Sequence, residues 1–283
     1  METNFLCGWD FENEQADYKE LQDYQEFCGE PFLVEWSSVR DRIYQEAKLC
    51  VNGWDIKSSL CDYTVAQTKT NGCVSYGVSA GVEDTLDMAK QKGKRSELLR
   101  SCAPWLYGGY HNVIKGRPGS GGCSMSGMMK FIAQYGILPY DLLPKIYADG
   151  EVDWNKNSKS WKQVFEKYGN QAAQFKIRVA KLPCNFDDIV ACLKAGYAIP
   201  YGTNKKLVLD KKTGWYRLSG STAHCMCWSG YGSGFTYNKN SWLDGRGKQR
   251  LEDVKVQVNG NYFDCFVILD IERTRESKPN YAL

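Results

Sequence analysis

Histidine is scarce: 283 residues hold only His111 and His224, and no two cysteines stand at the CxxC spacing of a zinc site. A metal centre therefore has few donors to draw on, Cys225 and Cys227 being the only close cysteine pair. No metal and no other cofactor is expected. No stretch approaches the roughly 18 apolar residues of a membrane helix, and the acidic start METNFLCGWDFENEQADYKELQDYQEF lacks the basic residues and apolar run of a secretory signal. The expectation is a cytoplasmic protein with no membrane partner, or one carried in a virion-type assembly. Most of its 12 cysteines are then expected to be free thiols. Charge of one sign is also lacking in excess, with 36 Lys and Arg against 33 Asp and Glu. The basic residues are dispersed apart from short runs such as Lys205 and Lys206, so no nucleic-acid partner is expected. The glycine-rich GRPGSGG lacks the Lys-Ser/Thr ending of a phosphate loop, and there is no internal repeat or low-complexity tract.

What is present suffices for a substantial core, since 43% of the residues are hydrophobic. DYKELQDYQEF and SSVRDRIYQEAKL read as helices, the second with Val39, Ile43 and Ala47 at four-residue spacing. A longer helix begins at Cys73, where Val74, Val78, Val82 and Leu86 repeat at the same interval. Further helices are predicted over SMSGMMKFIAQYG and over FDDIVACLKAG, the latter capped by Asn185. From Ala198 onward the period changes. AIPYGT, GWYRLSG, AHCMCWSGYG, GFTYNKNSW, KVQVNG and YFDCFVILDIE are short, β-prone and separated by glycine or polar turns. Helices early and antiparallel strands late predict an α+β fold of two lobes with a cleft between them.

Cys73 stands where chemistry is favoured, because a helix N-terminus supplies partial positive charge and free N–H groups that stabilise a thiolate. Its base must come from elsewhere. His224 lies in a β-prone run, whereas His111 falls in YGGYHNVIKGRPGSGG, which reads as a loop. Sixteen residues after His224, Asn240 would be returned to the imidazole by a hairpin with strands near 224–231 and 235–239, where it could fix the tautomer. Taken singly, each residue has an ordinary reading as a core thiol, a structural histidine and a turn amide.

Together, the segment from Gln67 to Cys73, VSYGVSAGVE, AHCMCWSGYG and NKNSW resemble the signature blocks of papain-like cysteine peptidases, in the same order. The resemblance covers roughly residues 52–270. It implies a helical N-terminal lobe, a β-sheet C-terminal lobe and a peptide or protein substrate cleaved through an acyl-enzyme. Cys73 would be the nucleophile, His224 the acid and base, Asn240 its orienter and Gln67 an oxyanion donor. Trp242 would shield the His224–Asn240 bond and border the leaving group. GGCSMSG would border the groove through Gly122 and Cys123, with Ala223 beside the histidine. The chain departs from the family in carrying Thr70 and Val74 where CGSCW has a half-cystine and an aromatic residue, so Cys123 loses its usual bridge partner. An insertion is expected near residues 150–175. Residues 1–51 are expected to be an extension, either an accessory arm or a short pro-like segment, through which an assembly partner could dock; residues 52–272 are expected to form the catalytic domain and 273–283 a tail. The alternative is a catalytically inactive papain-like binding or structural protein of an intracellular or viral assembly; a third course is transfer to an amine.

Overall fold

A computed structural model describes residues 8–28, 32–50, 53, 71–94, 99–115, 121–142, 158–241 and 245–273. The α-helices among the described residues are α1 (Glu14–Cys28), α2 (Trp36–Lys48), α3 (Cys73–Gln91), α4 (Ala103–Gly109), α5 (Met125–Tyr135), α6 (Ser158–Ala172), α7 (Phe186–Lys194) and α8 (Leu251–Val258). Six strands, β1 (Phe175–Lys181), β2 (Ile199–Asp210), β3 (Trp215–Gly232), β4 (Phe235–Asn240), β5 (Gly245–Arg250) and β6 (Phe263–Arg273), form one sheet in the order β1-β6-β2-β3-β4-β5. All neighbours in that order are antiparallel, and a single parallel bridge, Trp215 to Lys248, turns β5 back toward the start of β3.

Two apolar cores flank this frame. The first gathers Leu21 of α1, Val74, Val78 and Val82 of α3, Trp105 of α4 and Phe131 of α5. The second holds Trp36 and Ile43 of α2, Ile189 and Leu193 of α7, and Tyr201, Trp228 and Phe263 of the sheet. The four-residue apolar repeat of α3 faces the first core. Its other side meets β3, where small residues permit close approach: a Cβ on Gly77 would lie 2.8 Å from Cys225 Sγ. Expected helices at 37–49, 73 onward, 124–136 and 186–196 are present, and Asn185 caps α7 by accepting from the Asp187 and Asp188 amides.

Two local expectations are corrected. KVQVNG is not a strand, because residues 251–258 form α8, which has Glu252 and Asp253 in its first turn and buries Val254 and Val258 one turn apart. His111 is not a loop residue. Helix α4 starts with Pro104 in its first turn and continues as a π-helical turn, Tyr110–Ile114, leaving His111 buried. The glycines that suggested a loop serve packing instead, since a Cβ on Gly109 would lie 1.9 Å from the Phe131 ring.

Residues 8–28 and 32–50 contribute to both cores, with Trp9, Leu21 and Phe32 in the first and Trp36 and Ile43 in the second. Helix α1 packs on α5, and α2 crosses to α7, where Asp188 accepts from Trp36 Nε1 (3.2 Å), Arg40 Nε (3.1 Å) and Tyr44 Oη (2.8 Å). Burial of those contacts integrates the segment with the fold.

Candidate active site

Cys73 is the first residue of α3 and is fully buried. Gly72 caps the helix without a side chain, and Ser75 Oγ donates to the Gly72 carbonyl at 2.7 Å, tightening the turn that presents Cys73. Opposite lies β3. Cys225, next to His224, feels the charge of Cys73, as does Cys123 at the entry to α5; burial first, then that charge, pushes both thiols well above their ordinary pKa.

His224 and Asn240 sit on adjacent antiparallel strands, with Cys227 paired to Lys239 one step inward. The imidazole Nε2 and Asn240 Oδ1 are 2.8 Å apart, with the two residues only 1% and 5% exposed. An amide oxygen accepts, so Nε2 carries the proton and the ring's lone pair is on Nδ1. Burial drives the His224 pKa down to about 4 against the raising effect of the Asn240 bond, which makes the imidazole neutral at pH 7.

Gly122 and Cys123 border the same region, and Ala223 is exposed on β3 just before His224. Gln67 and Trp242 lie outside the described residues. A cysteine–histidine contact not foreseen in the sequence is present: Cys123 Sγ is 3.6 Å from His111 Nε2. Burial raises the Cys123 thiol well above its usual value and lowers His111 to about 4, so this contact joins a neutral thiol to a neutral imidazole. Cys123 is a free thiol, in keeping with the loss of its usual partner at Thr70.

The edge at Cys123 is not open. The Cys123 amide donates to the Gly8 carbonyl at 2.7 Å, and the Asp10 amide donates to the Cys123 carbonyl at 2.9 Å, making a parallel bridge between Trp9 and Cys123. A Cβ on Gly8 would lie 1.7 Å from the Asn71 carbonyl oxygen, two residues before Cys73, and a Cβ on Gly202 would lie 2.3 Å from the Trp9 indole. Trp9 is held further by an edge contact with Phe11 and by its Nε1, which lies 3.4 Å from Glu14 Oε2. Glu14 anchors the whole arrangement, its carboxylate accepting from the amides of Met125 and Ser126 at 2.8 Å each, at the start of α5. Asp17 accepts from Ser124 Oγ, and Lys115 bridges Asp10 (3.7 Å) and Asp17 (3.6 Å).

No protein-family model and no curated protein matches the chain. Solved structures do. Xylellain, a cysteine protease from Xylella fastidiosa, is similar with a TM-score of 0.55 at 17% identity, over 82% of this chain and 89% of that one. A clostridial cysteine protease, solved after propeptide cleavage, gives 0.56 at 13% identity over 79% of this chain and 58% of that one. A cysteine protease from Carica candamarcensis gives 0.50 at 14% identity, over 77% and 98%. The chain therefore has the α+β fold of papain-like cysteine proteases, as the motif resemblance implied.

Proposed function

We propose that the chain is a thiol-dependent peptidase. The observation that carries this reading is the buried 2.8 Å contact between His224 Nε2 and Asn240 Oδ1, on strands packed against the helix that begins at Cys73. In this reading Nδ1 of His224 takes the Cys73 thiol proton, and the resulting thiolate attacks the scissile carbonyl, forming the C–S bond. Gln67 and the Cys73 amide donate to the oxyanion, each such donor being worth about 3 to 4 kcal/mol where one has been removed. His224 then gives its Nδ1 proton to the departing amine as the C–N bond breaks, leaving a thioester. Water, deprotonated by the same nitrogen, hydrolyses it. Asn240 holds the ring so that Nδ1 faces the reaction, and Trp242 covers that bond.

Gly122 and Cys123 would pair with the substrate backbone and Ala223 would border it. Support for an extended peptide there comes from the chain itself, because Gly8–Asp10 already uses both polar groups of Cys123. The chain is accordingly read as a covered form whose residues 8–11 must move before substrate enters. The test is hydrolysis of a quenched fluorescent peptide library by the full chain, by Trp9→Ala and by Cys73→Ala. Turnover by either of the first two that disappears in Cys73→Ala supports the reading; turnover that persists in Cys73→Ala refutes it.

A further inference from the structure

Three basic residues of β5 share the outer face of the sheet with aromatic residues of β4 and β3. Strand alternation places Gly247 and Gln249 inward and Arg246, Lys248 and Arg250 outward, while on β4 Thr236 and Asn238 turn in and Phe235 and Tyr237 turn out. Each outward cation lies over a ring: Arg246 over Tyr237 at 4.1 Å, Lys248 over Phe235 at 4.9 Å and Arg250 over Trp215 at 5.9 Å. The rings brace one another edge to face, Trp215 with Phe235 at 5.7 Å and Phe235 with Tyr237 at 5.4 Å. Neither Lys248 nor Arg250 forms an ion pair with a described carboxylate. A hollow of about 690 Å³, lined by Trp215, Arg217, Leu218, Arg250 and Asp253, extends the face at the start of β3.

We propose that this face is an exosite that docks an acidic polypeptide segment of the substrate, outside the cleft; calling the occupant substrate rests on the peptidase reading above. Three observations favour that occupant. The cations recur at every second residue, about 6.6 to 6.8 Å apart, which is the repeat of alternate side chains along an extended peptide. The aromatic supports hold the cations in place by cation–π attraction, and Lys248 and Arg250, which pair with no described carboxylate, can meet one from outside. The strand that carries Phe235 and Tyr237 ends at Asn240, so the face lies roughly 10 to 17 Å along the same strand from the candidate site, a span of three to five residues. A nucleic acid is disfavoured because its bases need open ring faces for stacking, and here the chain's own cations cover them.

The experiment uses the full-length Cys73→Ala chain and a fluorescent peptide of alternating Glu and Gly, read by anisotropy. Joint replacement of Arg246, Lys248 and Arg250 by Glu is expected to weaken binding at least about tenfold, and Arg250→Glu alone, at an exposed position, about twofold or more. A Gln–Gly peptide should not bind, and raising salt from about 0.05 to 0.5 M should abolish the difference. The proposal is overturned if the acidic peptide binds both chains alike or neither, or if a single-stranded oligonucleotide of equal charge binds more tightly and through the same three residues. A kinetic arm separates the two readings: with an active chain, an acidic flank on a cleavable peptide should lower KM and leave kcat unchanged. No turnover of any peptide would count against the peptidase while the anisotropy result still judged the exosite.

Discussion

Replacing Trp9 by Ala should expose Cys73 to reagents while the fold persists. Trp9 is 5% exposed and fills the space over Gly202, so its loss removes most of the apolar contact holding residues 8–11 against the cleft edge. Truncating a buried aromatic residue costs about 3 to 5 kcal/mol. The two backbone bonds to Cys123 and the Glu14 anchor remain, and the lower end of that range alone would raise the population with the segment lifted about a hundredfold. If reclosing is faster than labelling, the alkylation rate at Cys73 scales with that population. Iodoacetamide labelling followed by peptide mass spectrometry reads it directly. Trp36→Ala is the control, because Trp36 is similarly buried but belongs to the second core. It should lower global stability without selectively accelerating Cys73. Equal acceleration in both variants, or none in Trp9→Ala when circular dichroism shows a native fold, would refute the idea that residues 8–11 cover the nucleophile.

Asn240→Ala should leave folding largely intact and lower kcat/KM at least about tenfold, because a freely rotating imidazole loses part of the general acid–base contribution; a shift in the pH–rate profile would distinguish this positioning effect from a structural one. His224 also makes stability depend on pH. Its folded pKa of about 4 lies below the ordinary 6.5, so the unfolded chain takes up the proton first as pH falls. The stabilisation is fully present above about 6.5 and is lost progressively between 6.5 and 4, amounting to about 3 kcal/mol. Urea unfolding at pH 7.5 and 4.5 should show that loss, and His224→Asn should reduce it; an unchanged loss would assign it to other groups. Glu14→Ala strips the acceptor from two amides at the start of α5 and should cost about 1 to 2 kcal/mol, measured as a lower thermal midpoint. Gly77→Val places bulk against Cys225 Sγ and the Met226 carbonyl, so it should destabilise the α3–β3 contact, with a reduced yield of folded protein as the readout.

Much of the frame was legible because its signals are local. The apolar repeat of α3, the Asn185 cap and the β3–β4 hairpin returning Asn240 to His224 each follow from residue spacing. What could not be read depends on partners distant in sequence. Gly108 and Gly109 look like loop residues until Phe131 is seen packed on Gly109. Strand β5, GRGKQR, has no apolar alternation, since its inward positions are glycine and a glutamine that accepts from Trp228 Nε1 at 2.9 Å. The valines of α8 alternate as in a strand over VKV, whereas the acidic first turn favours a helix. The placement of Gly8–Phe11 was silent for the same reason: it uses backbone pairing to Cys123 and the missing side chain of Gly202, neither of which leaves a pattern in its own segment. The candidate residues on β3 and β4 follow from motif spacing, while the pairing of Gly8–Asp10 with Cys123 required the fold.

The central claim is covalent catalysis by Cys73, and trapping the acyl-enzyme tests it most directly. An activated peptide ester is mixed with the full-length chain and with Trp9→Ala, quenched in acid, and the protein is digested for mass spectrometry. The predicted result is an acyl group on Cys73 that builds up faster in Trp9→Ala, decays with water, persists longer in His224→Ala and is absent from Cys73→Ala. An acyl group found on Cys123 or Cys225 instead, or none on Cys73 in any chain that cleaves the ester, would contradict the assignment.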